Sequence, residues 1–277
     1  MAADRSIPTG TSSWQSAYID QHSDDLSRYL EQVSRSLQRV ADGAIALMSP
    51  MEGRSVLEVG CGNGVFLPRL AQGVGSKGRV VGIDHSAAFV EEARDRVTNA
   101  GLSAVVTVQQ ADAYALPFAD ATFDLAHCER VLMHLEQPSS ALAEMRRVVR
   151  PGGWIVAVEP DWGGIRIDHP DREGMDVLYA RAMRVRQPDM GLTLHRRMGE
   201  LGLTERRLAP LLSDITDFEV LKGYGLTLAP AADALVGEGR LTRERADGLL
   251  SGLDDASTAK RFYGVAVMHI VAGRVPE

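Results

Sequence analysis

An α/β fold, with a largely parallel sheet and helices on both faces, is predicted by three observations. Between residues 50 and 160, short β-branched runs alternate with helical stretches of ten or more residues. The first run, Val56–Val59, ends in three glycines spaced by two, Gly60, Gly62 and Gly64. The next two runs close on, or just before, an acid: Asp84 and Asp112. In such sheets ligands sit outside the C-terminal ends of the strands, so all three features fall where a ligand belongs.

Composition narrows the class. The chain has 277 residues, 45% of them apolar, which is enough for a sizeable core. Its net charge is −7 and its basic residues are scattered, which argues against a nucleic-acid partner. The two cysteines, Cys61 and Cys128, lie in no Cys/His spacing typical of a metal site, so no metal is expected, and a reducing, cytoplasmic setting is the simple expectation. There is no signal-type N-terminus and no apolar run near the ~20 residues a membrane helix needs.

The elements follow in order. Residues 1–12 are rich in Ser, Thr, Pro and Gly and read as mobile. Apolar residues at 26, 30, 33, 37, 40, 44 and 47 make one helical stripe, expected to lie over the main domain as an N-terminal lid spanning 1–49. The same stripe admits a homodimer. The main domain is expected at 50–277. Strands are expected at Val56–Val59, Arg79–Asp84, Ala104–Val108, Phe123–Cys128 and Trp154–Val158. The intervening helices start near Val65, after the N-cap Ser86, and at Pro138. Beyond Pro160 the pattern loosens. Helices are expected over 171–187 and from about Leu192 to Leu201, within a helical insert at about 165–205. A strand is expected within Thr204–Leu221, one or two helices over 230–257, and a last strand at Phe262–Ala272.

The spacing of the glycines selects among cofactors. A dinucleotide fingerprint would place its third glycine at position 65, which is Val65, and no lysine-bearing phosphate loop is present. Glu58 before the turn adds negative charge where a pyrophosphate would sit, and suits a ligand with a positive centre and an ammonium group. An acid closing the second strand can accept from both hydroxyls of a ribose. An acid past the third can accept from an adenine amino group. The expected cofactor contains adenosine.

Glu58-Val-Gly-Cys-Gly-Asn-Gly64, Val80-Val-Gly-Ile-Asp84, Ala111-Asp-Ala113, Leu116-Pro-Phe118, Phe123-Asp124 and Val149-Arg-Pro-Gly-Gly153 resemble the motifs of the class I S-adenosylmethionine-dependent methyltransferases, over about residues 50–160. Within them the chain is most similar to the small-molecule type that includes the ubiquinone/menaquinone C-methyltransferases. The resemblance implies a Rossmann-like seven-stranded sheet in the order 3-2-1-4-5-7-6 with strand seven antiparallel. It also implies S-adenosyl-L-methionine as cofactor, with S-adenosyl-L-homocysteine as product. By position, Gly60, Cys61, Gly62 and Gly64 would line the methionine part, with Glu58 near its amino group. Asp84 would hold the ribose, with His85 beside the adenine. Asp112 and Ala113 would meet the adenine, Glu129 would face both cofactor and acceptor, and Tyr18 would touch the cofactor from the lid.

Methyl transfer from a sulfonium needs alignment first and a base only where the acceptor must lose a proton. The candidates for that base are His127, Glu129, His134 and Asp161; core packing is the competing role for the two histidines. Trp162, Tyr179 and His195 are expected on the acceptor side. The Met- and Leu-rich insert suits a small, largely apolar or aromatic acceptor. A protein of the same fold that binds the cofactor without transferring methyl groups is the alternative; an NAD-dependent oxidoreductase is opposed by Val65.

Overall fold

The computed structural model describes residues 23–183, 185–216, 218 and 228–277. Two helices, α1 (Ser23–Ser36) and α2 (Gln38–Met48), lead into the alternating core. The core runs β1 (Ser55–Val59), α3 (Leu67–Val74), β2 (Arg79–Asp84), α4 (Ala87–Asn99), β3 (Val106–Gln110), β4 (Phe123–Glu129), α5 (Pro138–Val148) and β5 (Val149–Ile167). A single 3₁₀ turn, Leu132–His134, follows β4. The chain continues through α6 (Arg172–Ala182), α7 (Met190–Glu200), β6 (Thr204–Ile215), α8 (Leu228–Gly237), α9 (Arg243–Thr258) and β7 (Gly264–Arg274). The sheet order is β3-β2-β1-β4-β5-β7-β6, with β7 antiparallel to both neighbours, as expected from the motifs.

Alternation along the strands divides the core into two layers. Val56, Leu125 and Val156 face one cluster with α1 to α4; their neighbours Leu57, Ala126 and Ile155 face the other, with α5 to α9. Strands covered on both faces must be apolar on both, and each fully buried aliphatic side chain contributes about 1.5–3 kcal/mol. Polar residues at buried strand positions therefore stand out: Glu58, His127 and Glu159.

Several boundaries move, each for a local reason. The 26–47 stripe is two helices meeting at Leu37 (ψ 25°), although i−4 hydrogen bonds continue through the joint from Leu37 to Val33 and from Ala41 to Leu37. The helix after the glycine turn begins at Leu67, where Pro68 takes the first turn. The third strand lies two residues later than its apolar run, because parallel pairing with β2 from Val80–Val106 to Asp84–Gln110 draws in the two glutamines.

The largest change is β5, which runs through the Glu159-Pro-Asp-Trp162 segment rather than ending before it. Pairing with β7 from Trp154–Arg274 to Ile167–Gly264, interrupted by a shift between Asp161 and Arg166, supplies ladder hydrogen bonds beyond the parallel sheet. The last strand accordingly starts at Gly264 and ends at Arg274. The helical layer above β5 is also larger than the expected insert. Besides α6 and α7 it contains α8 and α9, tied to α6 where Asp171, its N-cap, receives both Nε and Nη2 of Arg245 at 2.6 and 2.8 Å. Residues 1–12 and Tyr18 lie outside the described residues.

Candidate cofactor and acceptor site

Three strands deliver the site at the C-terminal edge of the sheet. After β1, Gly60, Gly62 and Gly64 adopt φ of 72°, 52° and 79°, a region closed to most side-chain-bearing residues. Space matters as much: a Cβ on Gly60 would stand 2.4 Å from Val131 Cγ2, and one on Gly64 3.0 Å from Ala93 Cβ. The N–H groups of Gly60 and Cys61 both donate to the Ile83 carbonyl at 2.8 Å, tying the turn to the end of β2.

Asp84 completes that tie. Its buried carboxylate accepts from the N–H of Gly62 at 2.9 Å and from that of Ser86 at 3.0 Å. Ser86 Oγ in turn caps α4 by accepting from the Phe89 N–H at 3.2 Å. A carboxylate has about four acceptor positions, so two remain for a ligand's hydroxyls. His85 Nδ1 lies 3.3 Å from the same carboxylate. Asp112 is exposed and accepts from the Tyr114 N–H at 2.9 Å, an Asx-type turn that leaves its second oxygen outward. Ala113 is half-buried beside it. Arg147 holds the loop that follows, donating to the carbonyls of Phe118 and Leu116 while paired with Glu144.

Glu58, in β1 just before the glycine turn, has a partner inside the protein. Its carboxylate is buried and lies 2.6 Å from His127 Nδ1, directly across the β1–β4 ladder. Phe66 stacks on the imidazole at 4.9 Å, and His127 Nε2 has no partner among the described residues. Burial raises the Glu58 carboxyl. Burial pulls His127 down, but the adjoining carboxylate outweighs it and leaves the ring raised. The pair thus retains its proton more firmly than either group would in water. His127 is a core residue paired to Glu58.

Two residues further, β4 reaches the edge with Glu129, which faces Arg130 Nε at 3.4 Å. Both side chains are largely enclosed, and Arg130 has a left-handed backbone (φ 55°), uncommon for a residue with a side chain. Arg130 was passed over in the sequence because no motif position carries it. His134, ending the 3₁₀ turn, is exposed. Its pKa is lowered, by partial removal from water and then by the charges of Arg130 and His85, so the ring is neutral near pH 7.

Glu159, on β5, is a fully buried anchor. It accepts from the N–H groups of Val131, Leu132 and Met133 at 3.0, 2.7 and 3.3 Å, holding the turn that carries His134. Burial pushes its pKa up to about 8, against the pull of those donors and Arg130. The folded pKa lies above the ordinary 4.5, so the folded state gains from the proton: this group's contribution to stability falls as pH rises from about 4.5 to about 8, then levels off. Urea titrations across that range should show the decline in the native protein and a flatter profile in Glu159→Gln. Glu159→Ala orphans three buried donors and should cost about 3 kcal/mol.

Of the residues expected to meet the acceptor, Tyr179 lies within electrostatic reach of Asp161, Trp162 is buried in the same core cluster, and His195 stands on α7. Trp162 is buried, with Nε1 donating to Met133 Sδ at 3.0 Å and its N–H to the Pro188 carbonyl at 2.9 Å. Asp161 accepts from the Gly164 N–H at 3.2 Å. The buried Tyr179 hydroxyl has no partner among the described residues, and its pKa is raised by burial and by Asp161. Beside them is a cavity of about 150 Å³ lined by Ile165, Ile167, Met175, Tyr179 and charged residues that include Arg166 and Asp176. His195 instead sits against Arg206 of the edge strand β6, at 3.3 Å. Helix α7 turns its buried face, Met190, Leu194 and Met198, to the core and leaves His195 half-buried beside that strand. Both cysteines are buried with thiols pushed well above their ordinary range, foremost by that burial. Among the described residues no cluster of His, Cys, Asp and Glu is placed to hold a metal.

Comparison with known proteins settles the kind of domain. Residues 57–157 match the model of a methyltransferase domain. They form a class I S-adenosylmethionine-dependent methyltransferase domain. It is similar to the corresponding domain of the ubiquinone/menaquinone C-methyltransferase group. One such relative, the ubiquinone/menaquinone biosynthesis C-methyltransferase of Marinomonas sp., is 36% identical over 39% of this chain and 43% of its own. An uncharacterized protein in a transposon of Streptomyces fradiae is 36% identical over 80% of this chain and 63% of its own. The chain thus spans less than two thirds of the length of these curated relatives. Among solved structures, a [4+2]-cyclase shares the fold with a TM-score of 0.60 and 20% identity, covering 98% of each chain. The methyltransferase domain contains the glycine turn, Asp84, Asp112 and Glu129; Trp162 and Tyr179 lie beyond the matched residues.

Proposed function

We propose that this protein transfers a methyl group from S-adenosyl-L-methionine to O, C or N of a small, largely apolar or aromatic molecule in the cytoplasm. The observation that carries the reading is the junction of three strand ends: the glycine-rich turn after β1, locked to the Asp84 carboxylate that ends β2, beside Glu129 that ends β4. These residues fit the cofactor. The turn offers a cradle that side chains would fill, and Asp84 keeps acceptor positions for a ribose. Asp112 has one outward oxygen for an adenine amino group, with Ala113 and His85 alongside. Glu129, beside Arg130 at the end of β4, and Glu58, paired with His127, are the carboxylates for the ammonium end.

When bound, the cofactor supplies an electrophilic methyl group. The chain's own work is to orient and enclose. Glu159 fixes the 131–134 turn, and with it His134. His134, neutral near pH 7, accepts a proton from an acidic acceptor hydroxyl where one must leave; Asp161 is the second candidate for that role. Tyr179 and Met175 line a cavity that also carries Arg166, Arg172 and Asp176, which suits an aromatic acceptor with polar substituents, while Trp162 is buried against Met133. No helix among the described residues is long and apolar enough to cross a membrane.

A shared fold does not decide the reaction. The test is formation of S-adenosylhomocysteine that depends on acceptor, measured with phenolic, quinone and isoprenoid compounds. Turnover with one of these classes is expected. Turnover with RNA or protein alone would contradict the reading. Saturable cofactor binding without S-adenosylhomocysteine release from any acceptor would favour a non-methylating reaction.

A further inference from the structure

The glycine turn is fastened to two helices far from it in sequence. Asn63, inside the turn, is 1% exposed. Its Nδ2 donates to the Ser27 carbonyl and hydroxyl oxygens on α1, at 3.4 and 3.1 Å. Ser27 Oγ donates to Glu92 on α4. Arg96, one turn further along α4, donates Nε to the Asn63 carbonyl at 2.9 Å and Nη2 to Glu31 on α1 at 2.7 Å. The contacts close a ring from turn to α1 to α4 and back. Inside it, Leu30 lies over the turn: a Cβ on Gly62 would stand 3.1 Å from Leu30 Cδ1.

The ring is placed where apolar anchoring is weakest. None of residues 26–32 is fully buried; within 26–36 the buried residue is Val33, and the joint and α2 add Leu37, Val40, Ala41, Ala44 and Met48. The second half of α1 is thus held by the core. The first half is held by polar groups, and those groups converge on the residue that shapes the turn's backbone.

We propose that Asn63 and Arg96 are positioning residues that make α1 part of the methyl-donor site, so that seating of α1 and binding of the donor are one coupled equilibrium. This rests on the donor binding at the glycine turn. A ligand that favours the ring-closed turn must favour seated α1, and loosening α1 must weaken that ligand by the same factor. A purely structural ring would change stability and leave this reciprocity absent.

The test uses S-adenosylhomocysteine as probe on the full chain. Ser27→Ala breaks the ring outside the turn; Arg96→Lys breaks it from α4 and serves should the first variant fold poorly. Calorimetry should show affinity reduced about 10-fold in either variant, within the usual range for coupled sites. Hydrogen exchange of amides 27–36 should slow on ligand addition in the native protein, far less in the variants, and not at all in the remote helix α9. Equal affinity in native and variant proteins, or exchange in α1 indifferent to ligand, overturns the coupling. Absence of binding to the native protein overturns the donor reading itself, and the coupling with it.

Discussion

Valine at position 60 is expected to abolish donor binding while leaving a folded protein. Gly60 has φ of 72°, and a Cβ there meets Val131 at 2.4 Å. A β-branched residue in that region costs about 1–3 kcal/mol in backbone strain. The clash adds a displacement of either the turn or the 131–134 segment packed against it. Affinity for S-adenosylhomocysteine should fall at least ~100-fold, equivalent to about 2.7 kcal/mol or more. Gly101 provides the control: its φ is 68°, but nothing lies within 4 Å of a Cβ placed there. Gly101→Ala should cost about 1 kcal/mol of stability by strain and leave binding unchanged. Urea unfolding and calorimetry on both variants separate strain from site geometry.

His127→Leu should produce the largest loss of stability of any single change considered, about 3–5 kcal/mol, because it leaves the Glu58 carboxylate buried without its partner. The double variant Glu58→Leu/His127→Leu should recover most of the loss, since an apolar pair of similar size replaces both charges at once. Urea unfolding of the native protein, both singles and the double gives the coupling energy directly. The loss should be pH-dependent. Both pKa values are raised in the folded state, so the pair's contribution is greatest at low pH and declines as pH rises above the ordinary carboxyl range. Independent contributions from the two residues, adding without coupling, would contradict a shared proton.

The half of the molecule legible in the sequence is the half in which local signals agree with tertiary ones. From β1 to β4 the strand runs are apolar on both faces, the breaks carry glycine or a capping residue, and turn chemistry sits beside the sheet edge that uses it. Gly60, Asp84 and Ser86 were readable for that reason. What escaped depends on partners distant in sequence. The length of β5 is set by β7, more than a hundred residues on, so Glu159 and Trp162 looked like a loop cluster and are strand residues. The motif position of Glu58 implies a cofactor contact, and its pairing with His127 is created by strand register. The pairing of His195 with Arg206 of the edge strand is likewise set by folding, not by local sequence. Asn63 was visible inside the motif, but its partners Ser27 and Arg96 are brought to it only by folding. Arg130 left no sequence signal; its left-handed backbone is seen only in three dimensions.

The central claim is that the turn after β1, held by Asp84, receives the methionine end of S-adenosylmethionine. Titration calorimetry tests it most directly, with S-adenosylhomocysteine and NAD injected separately into the native protein. Saturable heat with S-adenosylhomocysteine at one site per chain, and none with NAD, is the predicted result. Saturation by NAD, or no heat with S-adenosylhomocysteine, would contradict it.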